Sequence, residues 1–437
     1  MNSNHNLFDI LQKGLGRAFK YIEAHGDRDK ISTDLLNACL HNLAYDPQCE
    51  PSRANYLFEL ISLTDNIDFY REKIFQALPI ANNFWDAHQL YDLVLIWAKQ
   101  GDTEAREIIY QTFSRQENNE SWLGGNQIIQ LDGIKGLLKV AETVGKKLLQ
   151  DDELWEDDWL ISQARENYGA DRVNSALEQA AANSIEIEAY LNAVKAHQAN
   201  NAIDKVQKQK RRDRYKNLKL DYILQKIAEP KCHFYLLNKF GINASDRDLE
   251  IIFDRLLQET KKEQLRRYLW VFKNRSFPRL DSRIFDLAAG DDEDIQYCAI
   301  AALSNNKSES VRSLAIDLID KPSAIVNRLL SLFIQNYQTG DFRAIESAIA
   351  RSQDIEFRHA AGMDLINIIE TQKNPELLNC AFWIYENTPC AYCRESILDI
   401  LLDFKQVTLK ILEECLYDSS TDIRALAKTY LLQQRKL

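Results

Sequence analysis

Apolar residues recur along this chain at intervals of three and four. Leu7, Ile10, Leu11, Leu15, Phe19 and Ile22 set the rhythm and predict a helix over 4–24. Asp27 to Lys30 breaks it, and Ser32 or Thr33 can cap a second helix running to Leu43. Asp46-Pro47 marks a turn, and Pro51 suits the first turn of a helix ending near Leu63. Further helices are expected over 67–78, 86–99 and 102–114, with Gly101 closing one and Asp102 capping the next.

The stretch from Arg115 to Gly125 predicts a loop. For Gly124-Gly125 to cradle a phosphate, a preceding strand and a following Lys-Ser or Lys-Thr would be needed, and both are missing. A helix over about 126–150 then runs into carboxylates at 151–158, where Trp155 and Trp159 stand four apart and are placed to pack together. Two or three helices are expected in 160–200. From Asn200 to Lys219 core-sized apolar residues are few, so the stretch is either a long solvated helix or a poorly ordered connector. Beyond it, helices are expected over 218–228, 230–240, 246–259, 261–273 and 278–289.

From Asp291 onward one short frame returns. An apolar residue is followed by Arg or Gln, and a small or apolar residue stands three further on. The copies are Asp294-Ile295-Gln296 with Ala299, Ser310-Val311-Arg312 with Ala315, Glu356-Phe357-Arg358 with Ala361, Tyr392-Cys393-Arg394 with Ile397, and Asp422-Ile423-Arg424 with Ala427. The apolar residue and the one four positions later share a helical face, and a small residue there admits a close neighbour. Partner helices are expected over 324–336, 342–351, 375–386 and 406–417. Such pairs cannot bury their apolar faces alone and must stack.

The frame resembles the second helix of HEAT-type repeats. The resemblance implies an all-α protein: a HEAT-like α-solenoid of stacked helical hairpins, with an N-terminal helical domain of uncertain type. It also implies that Arg312, Arg358, Arg394 and Arg424 bond acidic or carbonyl groups of an adjacent turn. Intervals from one frame Arg or Gln to the next are 16, 46, 36 and 30, the first too short for a full hairpin. The frame is similar as well to the subtype found in phycobilin lyases, which attach or remove tetrapyrroles.

Composition agrees with helices: the 437 residues include only 14 Gly and 8 Pro, and the length exceeds one ordinary core. No apolar run approaches the roughly 18 residues a spanning helix needs, and the first residues lack a signal-peptide core, so a cytoplasmic chain without a membrane partner is expected. Eight scattered cysteines, several in the apolar phase of helices, suit reduced buried thiols better than a disulfide framework. Charge divides the chain further: residues 1–200 carry 18 Lys and Arg against 31 Asp and Glu, residues 201–283 carry 21 against 11, and residues 284–437 carry 15 against 23. The expected domains are therefore an acidic helical 1–200, a basic 201–283 and the HEAT-like 284–437.

Signs of catalysis are sparse. Seven histidines are present, but no His-Glu-x-x-His, Gly-x-Ser-x-Gly, Walker loop or Rossmann fingerprint. Cys390-Ala391-Tyr392-Cys393 is a C-x-x-C, yet a structural zinc site normally needs two such pairs, and Cys393 falls on an apolar frame position. Adjacent Cys232 and His233 would diverge by about 100° on a helix. The acidic 151–158 run lacks the spacing and Gly of a calcium loop. No catalytic residue, cofactor or metal is assigned.

The basic middle is more informative. Lys208, Lys210, Arg211, Arg212, Arg214 and Lys216 precede Lys262, Arg266, Arg267, Lys273 and Arg275, with Trp270 interleaved. Positive charge beside aromatics suits a phosphate backbone, and equally an acidic protein surface or the chain's own acidic half. The expected function is a non-enzymatic scaffold or regulator that binds a protein along its helical surface. A nucleic-acid partner is the first alternative and a tetrapyrrole lyase-type enzyme the second.

Overall fold

Every stretch with the three-and-four spacing folds as helix. The computed structural model describes residues 6–26, 29–116, 122–151, 153–321, 326–351 and 354–434, with the backbone alone at 29, 202–214 and 326–327. Among these residues the chain is all-α and forms no strand. Most of the helices are 7 to 16 residues long, too short to persist alone in water. Their stability comes from stacking, at about 1.5–3 kcal/mol for each fully buried Leu, Ile or Phe.

The chain packs as two compact units: Met1–Val206 together with Leu409–Leu437, and Gln207–Thr408. This division differs from the one expected from charge. The first boundary falls inside one 32-residue helix, Ile185–Lys216, so the polar connector is a long helix. The second separates the last hairpin from the repeats before it.

In the Gln207–Thr408 unit the helices form successive antiparallel pairs. Asp246–Gln258 pairs with Lys262–Val271, Ser282–Ala289 with Glu293–Leu303, and Leu378–Asn387 with Ala391–Asp403. Second helices then stack on second helices: Phe234–Asn243 on Lys262–Val271, and Lys262–Val271 on Glu293–Leu303. The small frame residues Ala299, Ala315 and Ala361 are fully buried where these faces meet. Side chains tie each pair to the next about one pair-length along. Asn306 Oδ1 accepts from the Phe277 amide at 3.3 Å, Asn336 Nδ2 donates to the Asn306 carbonyl at 3.0 Å, and Arg312 Nη2 donates to Asp341 at 2.6 Å. The unit is a stack of helical hairpins.

Several expectations change, among them the cap at Ser32 or Thr33, since both lie inside the helix Asp29–Leu40. The helix over 4–24 breaks into Leu7–Lys13 and Arg17–His25, because Gly14 turns left-handed (φ 71°). The partner helix over 324–336 is fragmented, with a short 3-10 turn at Leu330–Leu332 between two four-residue helices; residues 322–325 lie outside the described residues. Arg312 sits on the first helix of its pair, Glu309–Ile319, not the second. That shift explains the 16-residue interval: Gln296 and Arg312 occupy different positions in successive hairpins.

In the first unit, Ala54–Ile61 stacks on Phe84–Lys99, which stacks on Gly125–Leu148. One continuous apolar core runs from Leu7 to Val194. The hairpin Leu409–Cys415 and Thr421–Gln434 closes on its N-terminal helices. Arg17 Nε donates to Glu414 at 2.8 Å, the Ser419 amide donates to the Gly14 carbonyl at 2.8 Å, and Phe19 and Tyr417 rings meet at 5.1 Å. Arg424, expected to bond an adjacent turn, donates to the Asp418 carbonyl and also reaches Glu59 at 3.0 Å. Among the described residues no helix is long and apolar enough to cross a membrane.

Candidate functional site

The first unit holds a cavity of about 320 Å³ lined by Phe84, Trp85, His88, Trp122, Trp155 and Trp159 together with Gln127, Glu156 and Asp157. Four of the chain's seven tryptophans therefore surround one space. Three separate segments supply them. Asn83 caps Phe84–Lys99, its Oδ1 accepting from the Trp85 and Asp86 amides at 2.9 and 3.1 Å, and the first turn projects Phe84, Trp85 and His88. The second wall depends on Gly124: at φ 91° a Cβ there would stand 2.4 Å from the Tyr91 ring, so only glycine brings Trp122 and Leu123 down onto this helix. The third wall is the segment before Trp159–Tyr168.

Trp155 lies outside that helix, which starts at Trp159. The pairing expected from four-residue spacing is replaced by a stack on His197, rings 5.1 Å apart and 11° from parallel. Trp155 and Trp159 are 56% and 50% exposed, so much of each ring is left uncovered beside the cavity.

Polar groups are placed with equal care. Asp92 accepts from Gln127 Nε2 at 2.6 Å and from Ser52 Oγ at 2.6 Å, with His88 Nδ1 at 3.5 Å. Lys147 Nζ sits 5.3 Å from the Trp122 ring centre. Glu156 is 3% exposed, and burial, helped by the charge of Asp157, pushes its carboxyl up to about 8 against a hydrogen bond from Trp122. The buried Tyr190 hydroxyl, in the field of Glu156, Asp157 and Asp158, has no hydrogen-bond partner and is raised well above its ordinary value, chiefly by burial. The arrangement is an apolar aromatic box with a buried acid at its edge. It can hold a cation by ring faces and charge together.

Glu156 gives the unit a pH signature. An unfolded Glu ionises above about 4.5, whereas the folded one holds its proton to about 8. This group's contribution to stability thus falls as pH rises between those values and is constant outside them. Glu156→Gln is expected to match wild type at pH 4 and to melt higher at pH 9. The gain should be roughly 1–2 kcal/mol, since a pocket open to water retains only part of a 1.4 kcal/mol-per-unit shift. Thermal melts at the two pH values check it; an equal gain at both would mean that ionisation is not the cause.

No family model matches this sequence, and neither does any curated protein.

The residues expected to meet a partner are dispersed. The side chains of Lys208, Lys210, Arg211, Arg212 and Arg214 lie outside the described residues, and Lys216 closes the same long helix. Lys262 pairs with Asp292 and Asp294 at 2.9 and 3.0 Å, Arg266 with Glu263 at 2.9 Å, and Arg275 with Asp246 at 2.9 Å. Arg267 is buried and donates to the carbonyls of Ile227, Glu229 and Pro230, which withdraws it from the surface. Trp270 packs edge-on to Phe234, with Lys273 Nζ 4.4 Å from its ring centre.

Of the frame arginines, Arg312 holds Asp341 in the next hairpin, Arg358 is half-buried on Ile355–Gln372, and Arg394 is fully buried. Cys232 is half-buried with its thiol raised, chiefly by burial, which suits an inert cysteine. Sequence spacing misses the aromatic pocket because its walls come from residues 84–88, 122–127 and 155–160. The available signal was the density of Trp, Phe and His around predicted helix starts.

Proposed function

We propose that the protein is a cytoplasmic, non-enzymatic, HEAT-like scaffold that binds a partner protein, and that the tryptophan-lined pocket receives a Lys or Arg side chain of that partner. The carrying observation is the joining of Trp85, Trp122, Trp155 and Trp159 with Glu156 and Asp157 around one cavity. Ring faces attract a cation, and the acids distinguish it from a neutral side chain. Long-range charge supports the same reading, because the surrounding 1–200 segment has 31 Asp and Glu against 18 Lys and Arg and would steer a basic segment inward. The eight cysteines, six of them buried, suit a reducing compartment.

The basic middle offers less to a partner, since Lys262, Arg266 and Arg275 already hold carboxylates of their own chain. A nucleic-acid partner and a bound tetrapyrrole are therefore outcomes of the test.

A Lys/Arg-rich peptide titrated into the full chain should quench tryptophan fluorescence, and the same peptide with glutamines in place of its cations should not. Affinity should rise with pH towards 8, as Glu156 loses its proton to solvent and faces the cation as a carboxylate. Trp159→Ala should weaken binding about 30-fold or more, the loss of a central aromatic anchor being worth roughly 2 kcal/mol. Equal binding of the charged and neutral peptides would overturn the reading. So would tight binding of biliverdin, or of single-stranded RNA, with no response to the peptide.

A further inference from the structure

Cys390 and Cys393, read from sequence as half of a zinc motif lacking its second pair, acquire a third partner in the fold. Cys390 stands at the N-cap of Ala391–Asp403, and Cys393 lies in that helix's first turn. Three-residue spacing brings the two sulfurs to one side of the turn. Ile355–Gln372 packs against Ala391–Asp403 and carries His359 to the same point. Among the described residues, the donor atoms of His359, Cys390 and Cys393 all lie within 4.8 Å of one another. His359 Nδ1 is 3.8 Å from Cys393 Sγ.

These distances are those of a coordination polyhedron. Zinc–sulfur bonds of about 2.3 Å and zinc–nitrogen bonds of about 2.0–2.1 Å, set tetrahedrally, place ligand atoms roughly 3.5–3.8 Å apart. The Cys393–His359 separation matches one such edge, and the 4.8 Å limit on the others closes with small side-chain rotations. Donor chemistry agrees, since two sulfurs and an imidazole select a soft or borderline divalent ion over calcium or magnesium. Cys390 and Cys393 are 5% and 7% exposed, while His359 is half-buried and Tyr392 beside it is 47% exposed. The sulfurs are thus sheltered, and the imidazole side faces a way in.

We infer that His359, Cys390 and Cys393 form a zinc-class metal site in the second unit; among the described residues no fourth ligand joins them, which leaves one coordination position open to solvent or a further ligand. Three protein ligands with an open position distinguish it from closed four-ligand structural sites. It is independent of the aromatic pocket, and neither proposal depends on the other.

Cobalt(II) added to the reduced, metal-free full-length chain should produce a thiolate-to-cobalt charge-transfer band and the visible ligand-field bands of a tetrahedral ion. Zinc should bleach both at one equivalent per chain. Cys393→Ser and His359→Gln should each lower zinc affinity by more than about 100-fold, exceeding the usual loss for a residue that merely orients a ligand. Cys232→Ser, altering a half-buried cysteine outside the cluster, should leave the titration unchanged. The wild-type cobalt spectrum needs no variant and stands even if a ligand substitution unfolds the chain. A spectrum without the charge-transfer band would overturn the inference. Equal zinc uptake by wild type and a folded Cys393→Ser would do the same, as would a Cys390–Cys393 disulfide that forms in air despite saturating zinc.

Discussion

Arg53→Leu is expected to destabilise the first unit by roughly 3–5 kcal/mol, the cost of leaving one member of a buried ion pair uncompensated. Arg53 is 4% exposed, and its Nη1 donates to the Leu11 and Gln12 carbonyls at 3.1 and 2.9 Å, near the C-terminal end of Leu7–Lys13. Nη2 donates to Glu50 at 2.9 Å, with the Glu50 side chain 1% exposed. Leucine leaves the Glu50 carboxylate without its cation and the Gln12 carbonyl without its donor, while the Leu11 carbonyl keeps the Gly14 amide. For a unit of this size the change should lower the melting temperature by about 10 °C. The double variant Glu50→Leu/Arg53→Leu should recover part of the loss because no charge is left alone. Chemical denaturation of the three proteins tests this; a single-variant cost below about 1 kcal/mol would mean that water reaches Glu50.

Gly16→Val should have the next largest effect and act by shape alone. Gly16 has an ordinary helical φ of −63°, so no backbone strain is involved. A Cβ there would lie 1.9 Å from the Glu414 carbonyl oxygen and 2.9 Å from the Tyr417 carbonyl carbon. Backbone cannot yield as a flexible side-chain tip does, so either the hairpin or the helix Arg17–His25 must move. A cost of about 3 kcal/mol, the upper end of ordinary overpacking, is expected. Hydrogen exchange should show lost protection in 409–434 and 7–25, with the Gln207–Thr408 unit unaffected. Uniform loss across both units would contradict the division.

Much of the fold was legible because helix formation is local. Asn83, Asp102 and Ser245 each cap a helix through a side-chain oxygen, and the apolar spacing located nearly every element. All five frames lie on helices, and Arg312 bonds Asp341 at the start of Phe342–Ile349. What escaped depends on contacts between distant residues. Arg17 and Glu414 are 397 positions apart, and no periodicity indicates which hairpin a terminal pair will join. His359 stands 34 residues from Cys393, so its place beside the C-x-x-C follows only from the stacking of two second helices. The ion pairs of the basic residues 261–283 were not legible either, because carboxylates that engage them, such as Asp246, Asp292 and Asp294, lie elsewhere in the sequence.

The docking of Leu409–Cys415 and Thr421–Gln434 onto Leu7–Lys13 and Arg17–His25 makes one unit depend on two segments far apart in the chain. The Gln207–Thr408 unit is continuous in sequence, whereas the other is assembled from two segments that lie on either side of it in the chain. Gly14, Gly16 and Phe19 gain their neighbours Ser419, Glu414 and Tyr417 only when the two segments come together, so this seam closes across a loop of nearly four hundred residues, at a loop-closure cost that rises only slowly with length.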